Sequence, residues 1–201
     1  MDMKLTLRDV VFPIKKPLLY GSVWDSTFDG KGTPTLFWAI EIEVEDRKFF
    51  DYPLTLSFDY IKFSAQRWTE LIGNSVDFTE PYDDDGIKPR AYSYVTSHNP
   101  VPRANLQILE RDGGEFSILW KGILNPYGDR HYNNWFNEMP FSIEAQVTFM
   151  GINVMAYEQD TEQTVRERLT SCIALDNLVQ QPIESIVNVP GRYECDFKPQ
   201  L

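Results

Sequence analysis

Residues 35–44 read TLFWAIEIEV, and this segment decides the fold. Every second residue from Leu36 to Val44 is apolar, whereas the last two residues between them are the glutamates Glu41 and Glu43. Successive side chains of a β-strand point to opposite faces, so this alternation predicts a strand with one buried face. The two glutamates indicate that the opposite face reaches solvent at the far end of the strand.

The same alternation recurs along the chain, most clearly in residues 141–149, which read FSIEAQVTF. Gly151 follows this segment and predicts a turn into a further strand over residues 152–156. The sequence DGG at residues 112–114 separates two apolar runs and predicts a β-hairpin. The other predicted strands cover residues 4–11, 47–52, 54–56, 92–97, 106–110, 116–123 and 192–197.

Two segments have helical spacing instead. Ile61, Ala65, Trp68 and Ile72 step by four, three and four residues, which predicts a first helix. A second helix is predicted over residues 161–173, where a capping pattern opens another apolar stripe. Together these elements predict an α+β fold: a mainly antiparallel sheet, open or closed into a partial barrel, with two packed α-helices.

The composition is that of a folded protein, with 42% hydrophobic and 24% charged residues among 201. No linker, repeat or low-complexity segment divides the chain, so a single domain over residues 1–201 is expected. The apolar runs are only a few residues long, whereas a membrane-spanning helix needs about 20. The start of the chain alternates charged and apolar residues and lacks a secretory core. We therefore expect a cytoplasmic protein without membrane contact.

The charge balance constrains the partner. The chain carries 30 acidic and 19 basic residues, a formal net charge of −11. Direct nucleic-acid binding requires a basic face that displaces counterions, so it is not expected here. A basic partner protein is compatible with this charge, because opposite fields accelerate association. Exposed strand edges also leave a homodimer open, through pairing of sheets.

Metal and cofactor motifs are incomplete. Residues 83–86 read DDDG and resemble a fragment of a calcium loop, but Pro81 occupies the first ligand position and Tyr92 the final one. The two cysteines, Cys172 and Cys195, lie too far apart for a zinc motif and are too few for a disulfide scaffold. We expect no cofactor and reduced thiols.

Catalytic signals are weak. No Gly-x-Ser-x-Gly elbow is present, and the chain has only two histidines, His98 and His131. Asp129, Arg130 and His131 form the best catalytic group, because a carboxylate can orient a histidine base while an arginine binds an anion. Adjacent loop residues rarely converge on one point, however, so a non-enzymatic protein is the preferred interpretation.

The segment from residue 127 to 136 has a composition suited to recognition. Large rings and an arginine alternate with glycine and asparagine, the mixture found at binding hot spots. The same rings could instead fold back and close the edge of the core. Trp24 and Phe28 form a smaller segment of the same kind.

These observations predict a non-enzymatic, acidic protein-binding module, most simply an inhibitor or immunity-type protein that neutralises another protein. Two alternatives remain: a barrel-like protein that binds a small apolar molecule between Trp38 and Trp120, and a small hydrolase or lyase. The predicted partner-binding residues are Tyr127, Arg130, Tyr132, Trp135, Asp83, Asp84 and Asp85.

Overall fold

The computed structural model describes residues 3–25, 32–45, 52–83, 86, 88–95, 97–126, 138–187, 189 and 191–200. These residues form fourteen strands and one α-helix. The strands are β1 (Lys4–Leu7), β2 (Val10–Pro13), β3 (Leu18–Asp25), β4 (Pro34–Glu43), β5 (Thr55–Ile61), β6 (Ser75–Phe78), β7 (Ala91–Tyr94), β8 (His98–Pro100), β9 (Arg103–Asp112), β10 (Glu115–Leu124), β11 (Met139–Tyr157), β12 (Leu178–Gln180), β13 (Glu184–Ser185) and β14 (Arg192–Pro199). The helix is α1 (Glu162–Thr170), and a short 3₁₀ turn covers Trp68–Glu70.

One curled sheet holds all of the strands. Its main path runs β6-β9-β10-β11-β3-β4-β5-β7-β8, and the nine strands form a half-barrel. The 19-residue strand β11 is the spine of this sheet. Its first half pairs with β10 and β1, and its second half pairs with β14 and β3. The β11–β3 pair is parallel, whereas the other ladders are antiparallel.

The curl brings distant strands face to face across an aromatic core. Phe58 of β5 lies 5.4 Å from Phe78 of β6 and 5.7 Å from Trp120 of β10, measured between ring centroids. Phe149 of β11 stacks on Trp68 at 4.7 Å. Because these rings come from both halves of the sheet, the core itself holds the half-barrel closed on its concave side.

The predicted α+β class with two packed helices is wrong, since the described residues are mostly β with a single helix. The segment 61–72 does not form a helix: Ile61 ends β5, and Trp68 lies in the 3₁₀ turn. Ile61 and Trp68 are buried, and the indole N–H of Trp68 donates to the carbonyl of Asp176 at 2.9 Å, whereas Ala65 is partly exposed and Ile72 is 47% exposed. The helical spacing of these four residues therefore did not correspond to one buried face.

The second helix forms within the predicted range, as α1. Thr161 caps its start: the Thr161 hydroxyl accepts from the Thr164 N–H, and the Thr164 hydroxyl accepts from the Thr161 N–H. The β-hairpin around residues 112–114 is confirmed as β9 and β10. The predicted strand 47–52 lies outside the described residues apart from Tyr52.

The turn predicted at Gly151 is wrong, because β11 continues straight through it. Gly151 has φ = +116°, and a Cβ atom there would lie 2.4 Å from the carbonyl oxygen of Phe197 on β14. Glycine is needed at this position so that β14 can approach the spine closely. The register of the β11–β3 pair shifts at the same point.

Candidate functional site

Most of the residues predicted to bind a partner lie outside the described residues. These are Tyr127, Arg130, Tyr132, Trp135, Asp84 and Asp85, together with Asp129 and His131 of the catalytic alternative. Asp83 is described and closes a turn: its N–H donates to the Lys88 carbonyl at 2.8 Å, and its carboxylate accepts from the Lys88 N–H at 3.3 Å.

The outward side of the half-barrel carries an unusual number of rings on β3, β4, β5 and β7. Because side chains alternate along each strand, the residues that do not enter the core share this surface. Trp24, Tyr60 and Tyr94 are each more than a third exposed, at 38%, 37% and 40%. We call this surface the aromatic face, and define it by Tyr20, Trp24, Phe37, Tyr60, Tyr92 and Tyr94.

Strand register sets the spacing of the rings. Tyr20 lies opposite Ala39, and Phe37 lies opposite Ser22, so each large ring on β3 or β4 faces a small side chain on its neighbour. Ser57 on β5 lies opposite Tyr92 on β7. This large–small pairing leaves depressions between the rings instead of a continuous packed layer.

A β-bulge places a carboxylate among these rings. In the β4–β5 ladder Trp38 pairs with Ile61 and Ile40 pairs with Phe58, so both Asp59 and Tyr60 lie opposite the single residue Ala39. Tyr60 has φ = +57°, in the left-handed region that non-glycine residues seldom adopt. A bulge changes the direction in which side chains point, and here it places the side chains of Asp59 and Tyr60 together on the outward face.

The bulge borders a cavity of about 110 Å³, which we call the slot. Ala39 is at its base, and Tyr60 makes edge-to-face contacts with two of its walls, Trp24 at 6.0 Å and Phe37 at 5.7 Å. The slot is lined by Tyr20, Ser22, Trp24, Phe37, Trp38, Ala39, Asp59 and Tyr60.

Asp59 is half-buried in the slot and is held by neutral groups. The hydroxyl of Ser57 donates to Asp59 Oδ1 at 2.6 Å, and the Tyr92 side chain also hydrogen-bonds Asp59. Within the described part of the chain, no lysine, arginine or histidine nitrogen forms a salt bridge with Asp59. Among the described residues, Asp59 therefore has no direct ion-pair partner, and its nearest basic neighbours line the adjoining cavity.

The tyrosines beside Asp59 respond to this charge. Burial, and then the carboxylates of Asp59 and Glu41, raise the pKa of Tyr20 to about 12. Burial also raises the pKa of Tyr60 and of Tyr92, with Asp59 adding to both shifts. These phenols therefore remain neutral at physiological pH, and Asp59 is the one carboxylate among the residues that line the slot.

A larger cavity of about 390 Å³ adjoins the slot and shares Phe37, Asp59 and Tyr60 with it. Its lining includes three basic side chains, and two of them lie over the shared rings. Lys88 Nζ is 4.4 Å from the Tyr60 ring centroid, and Lys62 Nζ is 5.5 Å from that of Phe37. These are cation–π distances, so the rings already attract cations from within the chain.

The aromatic face continues toward β8. His98 lies edge-on to Tyr92 at 4.8 Å and against Tyr94 at 4.9 Å, measured between ring centroids. An open pocket of about 540 Å³ follows, bounded by Glu43, Tyr52 and Tyr94. Rings and carboxylates therefore extend over several neighbouring strands.

The sequence interpretation singled out Trp24 but missed Asp59 and Tyr60, which directly precede the segment predicted as the first helix. A signal was present: Leu54, Leu56 and Phe58 alternate, but the next buried residue is Ile61. A step of three in an otherwise two-residue alternation is what an inserted bulge residue produces.

The small-molecule alternative places an apolar ligand between Trp38 and Trp120, and it stays a prediction. Both indoles are buried, Trp38 against Phe149 at 6.0 Å and Trp120 against Phe141 at 5.6 Å. Among the described residues, none of the main pockets lies between these two rings.

Two further observations concern the described residues. They contain no group of three His, Cys, Asp or Glu side chains arranged to hold a metal ion. None of the helices among the described residues has the length and apolar character needed to cross a membrane.

Comparison with protein-family models, curated proteins and solved structures found no match for this chain.

Proposed function

We propose that this chain is a non-enzymatic protein-binding module that contacts its partner through the aromatic face and acts as an inhibitor of the immunity type. The observation that carries this proposal is the aromatic face itself. Exposed rings on rigid strands lose little side-chain entropy on binding and bury a large area, which is why such rings dominate binding hot spots.

The charge of the chain supports a basic partner. The aromatic face carries Glu41, Glu43 and Asp59, and the whole chain has a net charge of −11. Carboxylates at the edge of an interface steer a basic partner and make association sensitive to salt. An acidic module of this kind suits the neutralisation of a protein that itself binds nucleic acid.

The experiment is affinity capture from native lysate with matched surface variants. Trp24→Ala/Tyr94→Ala removes two exposed rings of the aromatic face. Leu109→Ala/Val179→Ala removes two apolar side chains of similar exposure, 46% and 44%, on other strands or strand faces. We expect one stoichiometric partner with wild type and with the control, and at least about 30-fold weaker binding by the aromatic-face variant.

Two outcomes would contradict the proposal. Equal capture by both double variants would remove the aromatic face as the binding surface. A captured partner that keeps its own activity when saturated with the chain would rule out the inhibitor role. Trp135→Ala and a triple charge reversal at Asp83, Asp84 and Asp85 test the surface predicted from sequence in the same assay.

A further inference from the structure

We propose that the slot binds one cationic side chain, a lysine or arginine of the partner protein, with its charged end at Asp59 and its aliphatic stem against Tyr20, Trp24 and Phe37. This inference rests on the proposed function, because it names the group that the aromatic face would take from its partner.

The first argument is the state of Asp59. A carboxylate withdrawn from water is costly unless it is paired with a cation or fully hydrogen-bonded. Asp59 is half-buried and accepts a hydrogen bond from Ser57, yet no described cation forms an ion pair with its carboxylate. An incoming ammonium or guanidinium group would supply the missing charge and would form a charge-assisted hydrogen bond.

The second argument is the shape and lining of the slot. Its volume of about 110 Å³ is space for roughly four water molecules, which suits the slender end of a basic side chain. Three aromatic side chains line the slot together with Asp59, and ring faces attract cations. A neutral apolar side chain would leave the carboxylate unpaired, so charge favours the basic one.

The third argument is that the chain's own lysines contact these rings but do not line the slot. Lys88 and Lys62 lie over Tyr60 and Phe37 from the larger cavity, and with Arg90 they are part of its lining. None of these three residues lines the slot. The rings of Tyr60 and Phe37 thus contact cations from the larger cavity, and Asp59, which lines both cavities, has no direct ion pair with those cations.

The test uses n-butylammonium chloride as the probe, with 1-butanol as its neutral counterpart and sodium chloride at equal ionic strength. Binding is followed by NMR of the indole N–H and aromatic signals of the full chain. We expect n-butylammonium to shift the Trp24, Tyr20 and Phe37 signals with a millimolar dissociation constant, roughly fivefold tighter than 1-butanol. The indole signals of the buried Trp68 and Trp120 should not move.

Two variants separate charge from shape. Asp59→Asn keeps an oxygen that can accept from Ser57 and should abolish the preference for n-butylammonium. Its control, Asp77→Asn, makes the same charge change on the exposed end of β6 and should leave the preference intact. Ala39→Leu fills the base of the slot without changing any charge and should block both probes.

Equal shifts by the two probes, or a preference that survives Asp59→Asn, would overturn the inference. The two experiments fail separately, because the probes test the slot and the Trp24→Ala/Tyr94→Ala capture experiment tests the proposed function. If that double variant loses the partner while Asp59→Asn retains it at wild-type affinity, the aromatic face binds a protein but the slot does not take a cation.

Discussion

Substitution of Arg168 by methionine should destabilise the protein strongly, because Arg168 is the cation of a buried ion cluster. Its Nη1 donates to Asp160 Oδ2 at 2.9 Å and to the Met155 carbonyl at 2.7 Å. Its Nε lies 3.6 Å from Asp25 Oδ2. The side chains of Asp25 and Asp160 are only 1% and 8% exposed, so water cannot replace the lost cation.

The magnitude follows from what remains after the substitution. Methionine retains most of the aliphatic volume and leaves two buried carboxylates without this cation, which costs about 3–5 kcal/mol. For a domain of this size that corresponds to a fall in Tm of roughly 6–20 °C. The loss should be global, because the cluster joins the end of β3, the end of β11 and α1.

The assay is urea unfolding of wild type, Arg168→Met and the control Arg67→Met, followed by tryptophan fluorescence and circular dichroism. Arg67 lies 3.0 Å from Asp176, but its side chain is 54% exposed, so its loss should cost less than about 1 kcal/mol. The urea m-value should be unchanged in both variants. A loss below about 1 kcal/mol for Arg168→Met, or equal losses for the two arginines, would refute the argument from burial.

Two further predictions concern titratable groups. The pKa of Tyr20 is raised to about 12 in the folded chain from an ordinary value of 10.0, so its contribution to stability is complete below pH 10 and is lost as the pH rises toward 12. Urea unfolding across this range should show a smaller loss of unfolding free energy for Tyr20→Phe than for wild type. Equal losses would contradict the assignment. Burial raises the pKa of the Cys195 thiol to about 11, and its side chain is fully enclosed, so iodoacetamide at pH 8 should alkylate Cys195 far more slowly than the partly exposed Cys172. Peptide mass spectrometry at timed intervals measures both sites, and faster modification of Cys195 would show that β14 opens readily around this residue.

The local sequence pattern was sufficient to predict an element wherever interactions between neighbouring residues determine its conformation. The strand at residues 35–44 and the hairpin at 112–114 were predictable because alternation and turn chemistry act over neighbouring residues. The helix after residue 160 was predictable for the same reason, since its apolar stripe is local, although Thr161 and Thr164 form the capping box and the sequence had pointed to Asp160 and Gln163.

The candidate site was predictable only in part. Trp24 could be singled out as a ring among polar neighbours, but nothing local indicated that Asp59 would lie beside it. That proximity depends on the β3–β4–β5 pairing and on the bulge opposite Ala39. Register between strands is set by the whole sheet, so a surface that spans several strands cannot be read from any one of them.

The sequence by itself determined a β-rich, acidic chain with strong alternation, because hydrophobic periodicity and charge are properties of the residues alone. Tertiary structure alone decided that residues 61–72 would not form an α-helix, because burial of Trp68 against Phe149 outweighed a weak helical preference. Tertiary structure also decided that the carboxylate of Asp59 lies beside the rings, because only the curl and pairing of the sheet bring those residues together.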